Sequence, residues 1–262
     1  MRLKFFEVWK RNVLLSVSEM MTHKIAFFLL CLSLFFGDII IPLVSSFIYK
    51  ASSGIPGWTL MQFILFQGTL ILVLGLWHLL FADMPWVAVH NITEGTFDNF
   101  LLRPFSCLKL LTTMGFDFDG IGEVMAGVLI VGIAFISLKL KAVLLVYYII
   151  FILLALLFQY SLTIIAASFS FIFVQSWRLI EIIDMVSKFS RYPINIYNPE
   201  MQFVIKFVVP AAIASYYPAS ILLGIEPLTS LIKMSIPVFV FFTFSLLLWN
   251  FAIKKYTSLE DD

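Results

Sequence analysis

The sequence predicts an all-α integral membrane protein with six transmembrane helices, and three observations support this fold class. Hydrophobic residues make up 61% of the 262-residue chain and charged residues only 13%, and the mean hydropathy is +1.02. Soluble domains carry about 25% charged residues, so a water-soluble fold could not bury this much apolar surface. Apolar runs recur at the length of about 20 residues that a helix needs to cross a bilayer. The basic residues are also distributed unevenly between alternate loops. We expect one transmembrane domain over residues 1–262.

Residues 1–23 precede the first long apolar run and predict an amphipathic helix. Apolar residues alternate there with Arg2, Lys4, Lys10 and Arg11. A helix of this kind lies in the membrane interface. A helical extension of the first span with a solvated face is the alternative.

Five apolar segments predict transmembrane helices, near residues 25–48, 60–82, 112–137, 142–173 and 232–253. Asp38 and Pro42 are expected to break the first span, because lipid disfavours a charge and proline removes a helical hydrogen bond. Residues 83–109 are interpreted as a long loop with scattered polar residues.

The positive charges set the orientation and leave one crossing to be placed. Most Lys and Arg residues of the loops fall on one side if the N-terminus is cytoplasmic, which predicts two cytoplasmic termini and an even number of spans. Hydropathy favours residues 203–224 for the remaining span, but Pro210 and Pro218 interrupt that segment. Residues 177–196 are the alternative, and they would bring charged side chains into the membrane.

Catalytic signatures are absent from the sequence. It contains no phosphate-binding loop of the G-x-x-x-x-G-K-[ST] type, no H-E-x-x-H and no G-x-S-x-G. The histidines His23, His78 and His90 are far apart in the chain. We therefore predict no catalytic residue, no cofactor and no metal site, and the near-neutral net charge of +1 argues against a nucleic-acid partner.

Two groups of charged residues are candidate functional positions. Asp117, Asp119 and Glu123 stand near the start of the third span, as a proton or cation site or as interfacial carboxylates that favour a helix N-terminus. A second group follows steps of three, four and three, which keeps its members on one helix face. This polar stripe either lines a wet cavity within a span or forms the solvated face of a cytoplasmic helix. Its members are Glu181, Asp184, Lys188 and Arg191.

The segment 94–105 predicts a short amphipathic helix on the cytoplasmic side. Thr96 is a candidate N-cap, and Pro104 marks the end. Phe97, Phe100 and Leu101 fall on one face, which suits docking into a groove of another protein. The alternative is that this face lies on the membrane surface.

Three stretches give the chain a resemblance that covers nearly its whole length. They are Glu94 to Pro104 (EGTFDNFLLRP), Phe189 to Ile194 (FSRYPI), and Val209-Pro210-Ala211 followed by Tyr216-Tyr217-Pro218-Ala219. With them the chain resembles the permease subunits of bacterial type-2 ABC exporters, in particular those made as stand-alone chains.

The resemblance implies specific roles for these segments. It implies an interfacial helix at residues 1–23, a fifth span at 177–196 with the polar stripe on the translocation path, and re-entrant helices forming an outer gate at 197–225. The gate residues it implies are Tyr192, Pro193, Pro210, Tyr216, Tyr217 and Pro218. A coupling helix at 94–104 would dock on an ATPase through Glu94, Gly95, Thr96, Phe97, Asp98, Asn99, Phe100, Leu101, Arg103 and Pro104.

The resemblance also implies partners and a location. Two cytoplasmic ABC ATPase subunits would bind ATP and Mg, and a second copy or a related permease would complete the pore. The chain itself would be a non-catalytic multi-pass subunit of the bacterial inner membrane. The alternative function is an ion-coupled secondary transporter or channel that acts without an ATPase.

Overall fold

The computed structural model describes residues 5–52, 54–173, 181 and 185–259, without the side chains of Glu19, Lys188 and residues 257–259. These residues form helices and connecting turns, with no strand among them. Five helical segments within the described ranges are long and apolar enough to cross a membrane, namely Lys24–Ala51, Leu60–Thr93, Gly120–Ser137, Ala142–Phe169 and Ser230–Tyr256.

The helices follow one another through short connections. They are α1 (Phe5–Thr22), α2 (Lys24–Ala51), α3 (Leu60–Phe81), α4 (Asp83–Thr93), α5 (Asp98–Leu101), α6 (Cys107–Met114), α7 (Gly120–Ser137), α8 (Leu145–Phe169), α9 (Pro199–Phe203), α10 (Tyr216–Leu222) and α11 (Ser230–Leu259). A 3₁₀ turn, Ala142–Leu144, leads into α8. α7 packs against α3 and α2, whereas α8 packs against α11 and α3.

α2 is one continuous helix, so the expected break at Asp38 and Pro42 was wrong. Pro42 is buried inside the helix, and the Ser46 hydroxyl donates to the Pro42 carbonyl at 2.7 Å. A proline removes one hydrogen bond from its helix. In lipid, any larger opening would leave further backbone groups without partners, which favours keeping the helix intact.

The second apolar segment has nearly the expected bounds, since α3 spans Leu60–Phe81, whereas the third segment is divided. α3 begins at a capping box, in which the Thr59 hydroxyl accepts from the Gln62 amide. α4 follows α3 almost without interruption, so much of the expected loop 83–109 is helical. The expected span 112–137 is divided instead into α6 and α7, because residues 115–119 leave the helix and carry Asp117 and Asp119 between them.

Glycines bring α3 and α7 into close contact. A Cβ atom on Gly75 would lie 2.7 Å from the Val124 amide nitrogen, and one on Gly127 would lie 2.6 Å from the Leu72 Cα. Small residues let helix backbones approach closely in membranes, where dispersion forces rather than the hydrophobic effect hold helices together. Gly122 plays the same part toward α2, since a Cβ there would clash with the Cys31 carbonyl.

The segment between α8 and α11 consists of short helices around two prolines. It contains the 3₁₀ turns Lys188–Arg191, Ile194–Ile196 and Ala211–Ala214, and a π-helical turn, Val204–Val208. Residues 203–224 are therefore not one continuous span, which overturns the placement that hydropathy favours. Pro210 ends the π-helical turn, whereas Pro218 lies in the first turn of α10, where a missing amide is tolerated. Most of the alternative span 177–196 lies outside the described residues.

Candidate functional site

His78, Asp117 and Glu123 form a polar cluster where α3 meets the start of α7. The His78 Nδ1 atom lies 2.8 Å from the Glu123 Oε1 atom, and its Nε2 atom lies 3.0 Å from the Asp117 Oδ2 atom. The exposed fraction of the side chain is only 26% for His78, 23% for Asp117 and 16% for Glu123. We call these three residues the histidine cluster.

The backbone holds the histidine cluster in place. The Asp117 amide donates to the Leu79 carbonyl at 3.3 Å, which ties the loop before α7 to the end of α3. Gly120 packs directly against α3, because a Cβ atom at this position would lie only 2.6 Å from the Leu79 nitrogen. Glu123 lies one turn into α7, so its carboxylate reaches the other side of the imidazole.

The two hydrogen bonds determine how many protons the histidine cluster carries. Both hydrogen bonds form together only if the ring carries two N–H groups, or if it carries one and a carboxyl group carries the other proton. The net charge of the three groups is −1 in either case. The two ring nitrogens point apart and cannot bind one ion together, and among the residues that the structure describes no three His, Cys, Asp or Glu side chains are arranged to hold a metal ion.

The pKa values of the Asp117 and Asp119 carboxyl groups are shifted in opposite directions. Burial disfavours the charged form of Asp117, but hydrogen bonds from His78 and from the Asp119 amide outweigh it and lower the pKa of the Asp117 carboxyl. Burial, followed by the Asp117 charge, raises the pKa of Asp119. Asp117 is thus the carboxylate that the fold stabilises as an anion.

A groove between α2 and α3 holds a cavity of about 340 Å³. Its α3 wall follows one helix face from Gln67 to His78, a rise of about 16 Å along the axis. Its α2 wall includes Asp38 and Ser45, and Arg191 lies at its edge. We call this space the α2–α3 cavity. A second cavity of about 230 Å³ shares Trp77 and His78 with it and continues toward Gln159 on α8.

The predicted coupling segment 94–104 is fastened to the chain's own core. Phe97 is fully buried and Phe100 nearly so, and their rings pack on each other at 5.2 Å. Phe97 also meets Phe171 edge-on at 4.8 Å. The Tyr256 hydroxyl donates to the Asp98 carboxylate at 3.2 Å. The apolar face proposed for docking is thus already occupied by residues that follow α8 and by α11.

Most of the remaining residues of the segment are exposed, whereas Leu101 is half-buried and packs on the same core as Phe97. Leu102 is 83% exposed, and Arg103 lies over the Phe100 ring at 5.8 Å. Thr96 does not cap the helix as expected, because its hydroxyl donates to Asn91 instead and Phe97 stands at the N-cap position. The exposed members are Glu94, Gly95, Thr96, Asn99, Leu102, Arg103 and Pro104.

The polar stripe is only partly described. Glu181 is exposed, Asp184 lies outside the described residues, and the side chain of Lys188 is likewise not described. Residues 188–191 form a 3₁₀ turn rather than an α-helix. Arg191 is therefore the member of the stripe that the structure places at the α2–α3 cavity.

The predicted gate residues lie in the segment after α8. All of them are buried except Tyr192, which is exposed. The Ser190 hydroxyl donates to the Ala211 carbonyl at 2.7 Å, and the Ser215 hydroxyl donates to the Ser190 carbonyl at 2.6 Å. Tyr216 faces Trp58 at 6.0 Å, and Tyr217 stacks on Phe151 at 6.1 Å. Pro193, Pro210 and Pro218 are buried as well.

Sequence reasoning missed the partnership of His78 with the carboxylates and the setting of Asp38. A signal for the first was present: spans two and three run antiparallel, so the end of one and the start of the next lie on the same side. The setting of Asp38 depends on how α2 rotates against α3, which the nearly uniform hydrophobicity of these helices does not specify.

One comparison with known proteins gave a match. Residues 24–259 match the model of a family described as ABC-2 family transporter protein. No curated protein and no solved structure shows a significant match.

Proposed function

Because this chain belongs to the ABC-2 family of transporter proteins and is a multi-pass membrane permease, we propose that it is the membrane subunit of an ATP-driven exporter. A separate ATPase subunit provides hydrolysis, with ATP and Mg bound there, and this chain provides the path. Two ATPase subunits and a second permease, identical or related, complete the transporter. We place it in the bacterial inner membrane with both termini cytoplasmic.

The observation that carries this proposal is the anchorage of segment 94–104. Buried Phe97, on which Phe100 stacks, joins it to Phe171, beyond the end of α8, and to Tyr256 near the end of α11. A push on the exposed tip would therefore reach two membrane helices without first being absorbed by a flexible loop. A rigid connection of this kind is what alternating access driven from outside the membrane requires.

The structure changes which residues we assign to ATPase docking. We propose that Leu102, Asn99 and Arg103 contact the partner, and that Phe97 and Phe100 transmit the motion. The remaining finer features belong to the same proposal. Residues 1–23 lie in the interface, 177–196 form the fifth of six crossings, with the polar stripe on the path, and 197–225 form re-entrant helices that act as an outer gate.

Co-purification from native membranes tests the ATPase partnership. The wild-type chain is expected to bring down a stoichiometric ATPase subunit. Leu102→Asp should lose that subunit while the permease stays folded, because the side chain is 83% exposed and a charge disrupts an apolar docking contact. Leu228→Asp is the matched control, since Leu228 is also exposed, at 45%, but lies before α11.

The result can also contradict the proposal. A wild-type chain that purifies without any ATPase and still moves solute would exclude it. Equal retention of the ATPase by Leu102→Asp and Leu228→Asp would reject the docking surface alone.

An ion-coupled transporter that works without an ATPase is the second candidate. The histidine cluster favours it, since three titratable groups share protons beside the α2–α3 cavity. Transport driven by a proton gradient in vesicles that contain only this chain, and lost in His78→Gln, would support that function instead.

A further inference from the structure

The α2–α3 cavity contains a carboxylate that has no ionic partner among the described residues. Asp38 lies near the middle of the 28-residue helix α2, and both ion pairs within the described ranges belong to His78 instead. An unpaired charge at mid-membrane is expensive, and such residues face interior cavities and mark ligand or ion paths. Pro42 also removes the usual helical partner of the Asp38 carbonyl. Residue 38 therefore offers both its carboxylate and its backbone carbonyl as hydrogen-bond acceptors.

Gln67, on the wall of the same cavity, has an unmet hydrogen bond. The residue is only 8% exposed. The Nε2 atom donates to the Ser45 hydroxyl at 2.8 Å, while the Oε1 atom is buried without a hydrogen-bond partner. Turning the amide over would leave the other atom unpartnered, since a hydroxyl can donate or accept. Buried polar groups without partners are rare in native proteins.

The charges around the cavity favour a cation. Among the charged side chains that the structure describes around the cavity, the histidine cluster carries −1, ionised Asp38 adds −1 and Arg191 adds +1, which leaves −1. One monovalent cation would neutralise this charge and offset the free energy needed to keep Asp38 ionised in the membrane.

The other residues that line the cavity favour a ligand whose cationic group is attached to an apolar part. Leu70, Ile71 and Leu74 continue along the α3 face between Gln67 and His78, and Trp77 and Tyr192 add aromatic surface. A volume of about 340 Å³ and a mainly apolar wall with a few polar groups are typical of small-molecule sites. Aromatic rings also attract ammonium groups.

We propose that the α2–α3 cavity binds a cationic amphiphile, with its protonated amine at Asp38 and Gln67 and its apolar part along α3. That this molecule is the cargo rests on the exporter function proposed above. The binding itself does not, because it involves the permease alone.

Three probes of matched shape test the charge preference. They are 4-phenylbutylammonium, 4-phenylbutanol and 4-phenylbutyrate, which carry charges of +1, 0 and −1. Binding is measured by equilibrium dialysis against the full chain in lipid nanodiscs, with empty nanodiscs subtracted for partition into lipid. The ammonium is expected to bind saturably and at least about ten-fold more tightly than the alcohol, since hydrogen bonds to charged groups are the strong ones. The carboxylate is expected to bind least.

Two variants should shift the affinity in opposite directions. Asp38→Asn should weaken ammonium binding by about ten-fold and leave alcohol binding unchanged. Arg191→Gln removes the exposed cation at the cavity edge, so it should tighten ammonium binding. Glu200→Gln, an exposed carboxylate at α9, is the matched control and should change neither affinity. Because Arg191 is exposed, its variant tests the proposal even if Asp38→Asn fails to fold.

Equal affinities for the ammonium and the alcohol, tighter binding of the carboxylate, or weaker ammonium binding in Arg191→Gln would each overturn the inference. Co-purification of an ATPase is scored separately. Loss of amine selectivity with the ATPase retained would therefore reject this site and leave the exporter function standing.

Discussion

The two sides of α3 behave differently although they have nearly the same hydrophobicity. Toward α7, Gly68 and Gly75 remove side-chain volume and the backbones touch, with a Cβ on Gly68 only 2.6 Å from the Ile130 Cγ2 atom. Toward α2, Gln67, Leu70 and Leu74 face an open cavity. On α3, therefore, the position of the glycines rather than apolar content distinguishes the closely packed face from the face at the cavity.

The same contrast separates two kinds of charge. Glu123 and Asp117 share hydrogen bonds with His78 where α3 meets α7, although Glu123 and His78 also line one end of the α2–α3 cavity. Asp38 lies in the open groove and lacks an ionic partner within the described part of the chain. We interpret the first arrangement as a brace between α3 and α7 and the second as a site for a ligand.

The largest expected effect comes from filling the closed interface. Gly127→Leu would place side-chain atoms inside Leu72, and we expect it to destabilise the chain by about 3 kcal/mol or more, at the upper end of overpacking. Gly132→Leu is the matched control, because nothing lies within 4 Å of a Cβ at that position of the same helix. The midpoint of thermal unfolding in detergent should fall only for Gly127→Leu, and equal midpoints would contradict the close packing.

A smaller loss is expected when the brace is removed. His78→Leu leaves Asp117 and Glu123 without their shared partner, which should cost about 1–3 kcal/mol for groups that keep some contact with water. His90→Leu is the control, since His90 is exposed on α4. Unfolding midpoints that drop equally in both variants would argue against a specific role for the histidine cluster.

The pH dependence of stability should follow Asp117. Its pKa is lower in the folded chain than in the unfolded chain, so its contribution is fully present above the ordinary carboxyl pKa of about 3.9. That contribution is lost as the pH falls through the lowered folded value, because protons then bind the unfolded state first. In Asp117→Asn the acid limb of the stability profile should be shallower. An unchanged limb would assign the acid sensitivity to other groups.

The smallest effect on stability is expected at Asp38. Replacing it with Asn should change the unfolding free energy by no more than about 0.5 kcal/mol, or raise it, because no ion pair with a described residue is lost. A strong loss of stability would show that Asp38 has a structural partner after all. Its role would then be structural, like that of Asp117 and Glu123, rather than ligand binding.

Much of the fold was predictable because lipid imposes strict rules on length and hydrogen bonding. The apolar segments near 60–82, 142–173 and 232–253 are helices with similar bounds. The predictions failed where one local exception had to be judged. Pro42 did not break α2, and residues 115–119 did interrupt a span that hydropathy extended to 112.

The candidate sites were less predictable than the fold. The sequence indicated a short amphipathic helix near Phe97 and Phe100, but not that their rings are buried on Phe171. Glu123 and Asp117 were recognised as unusual, but their partner His78 lies far away in the chain. Contacts of this kind depend on helix rotation and depth, which a nearly uniform apolar sequence leaves open.

The sequence by itself determined that this chain is a helical membrane protein with the motifs of a transporter permease, because composition and span length respond directly to the bilayer. Only the tertiary structure decided which polar groups meet. It placed His78 between two carboxylates and left Asp38 and Gln67 facing a cavity, since the glycine contacts of α7 fix how α2 and α3 pack around it.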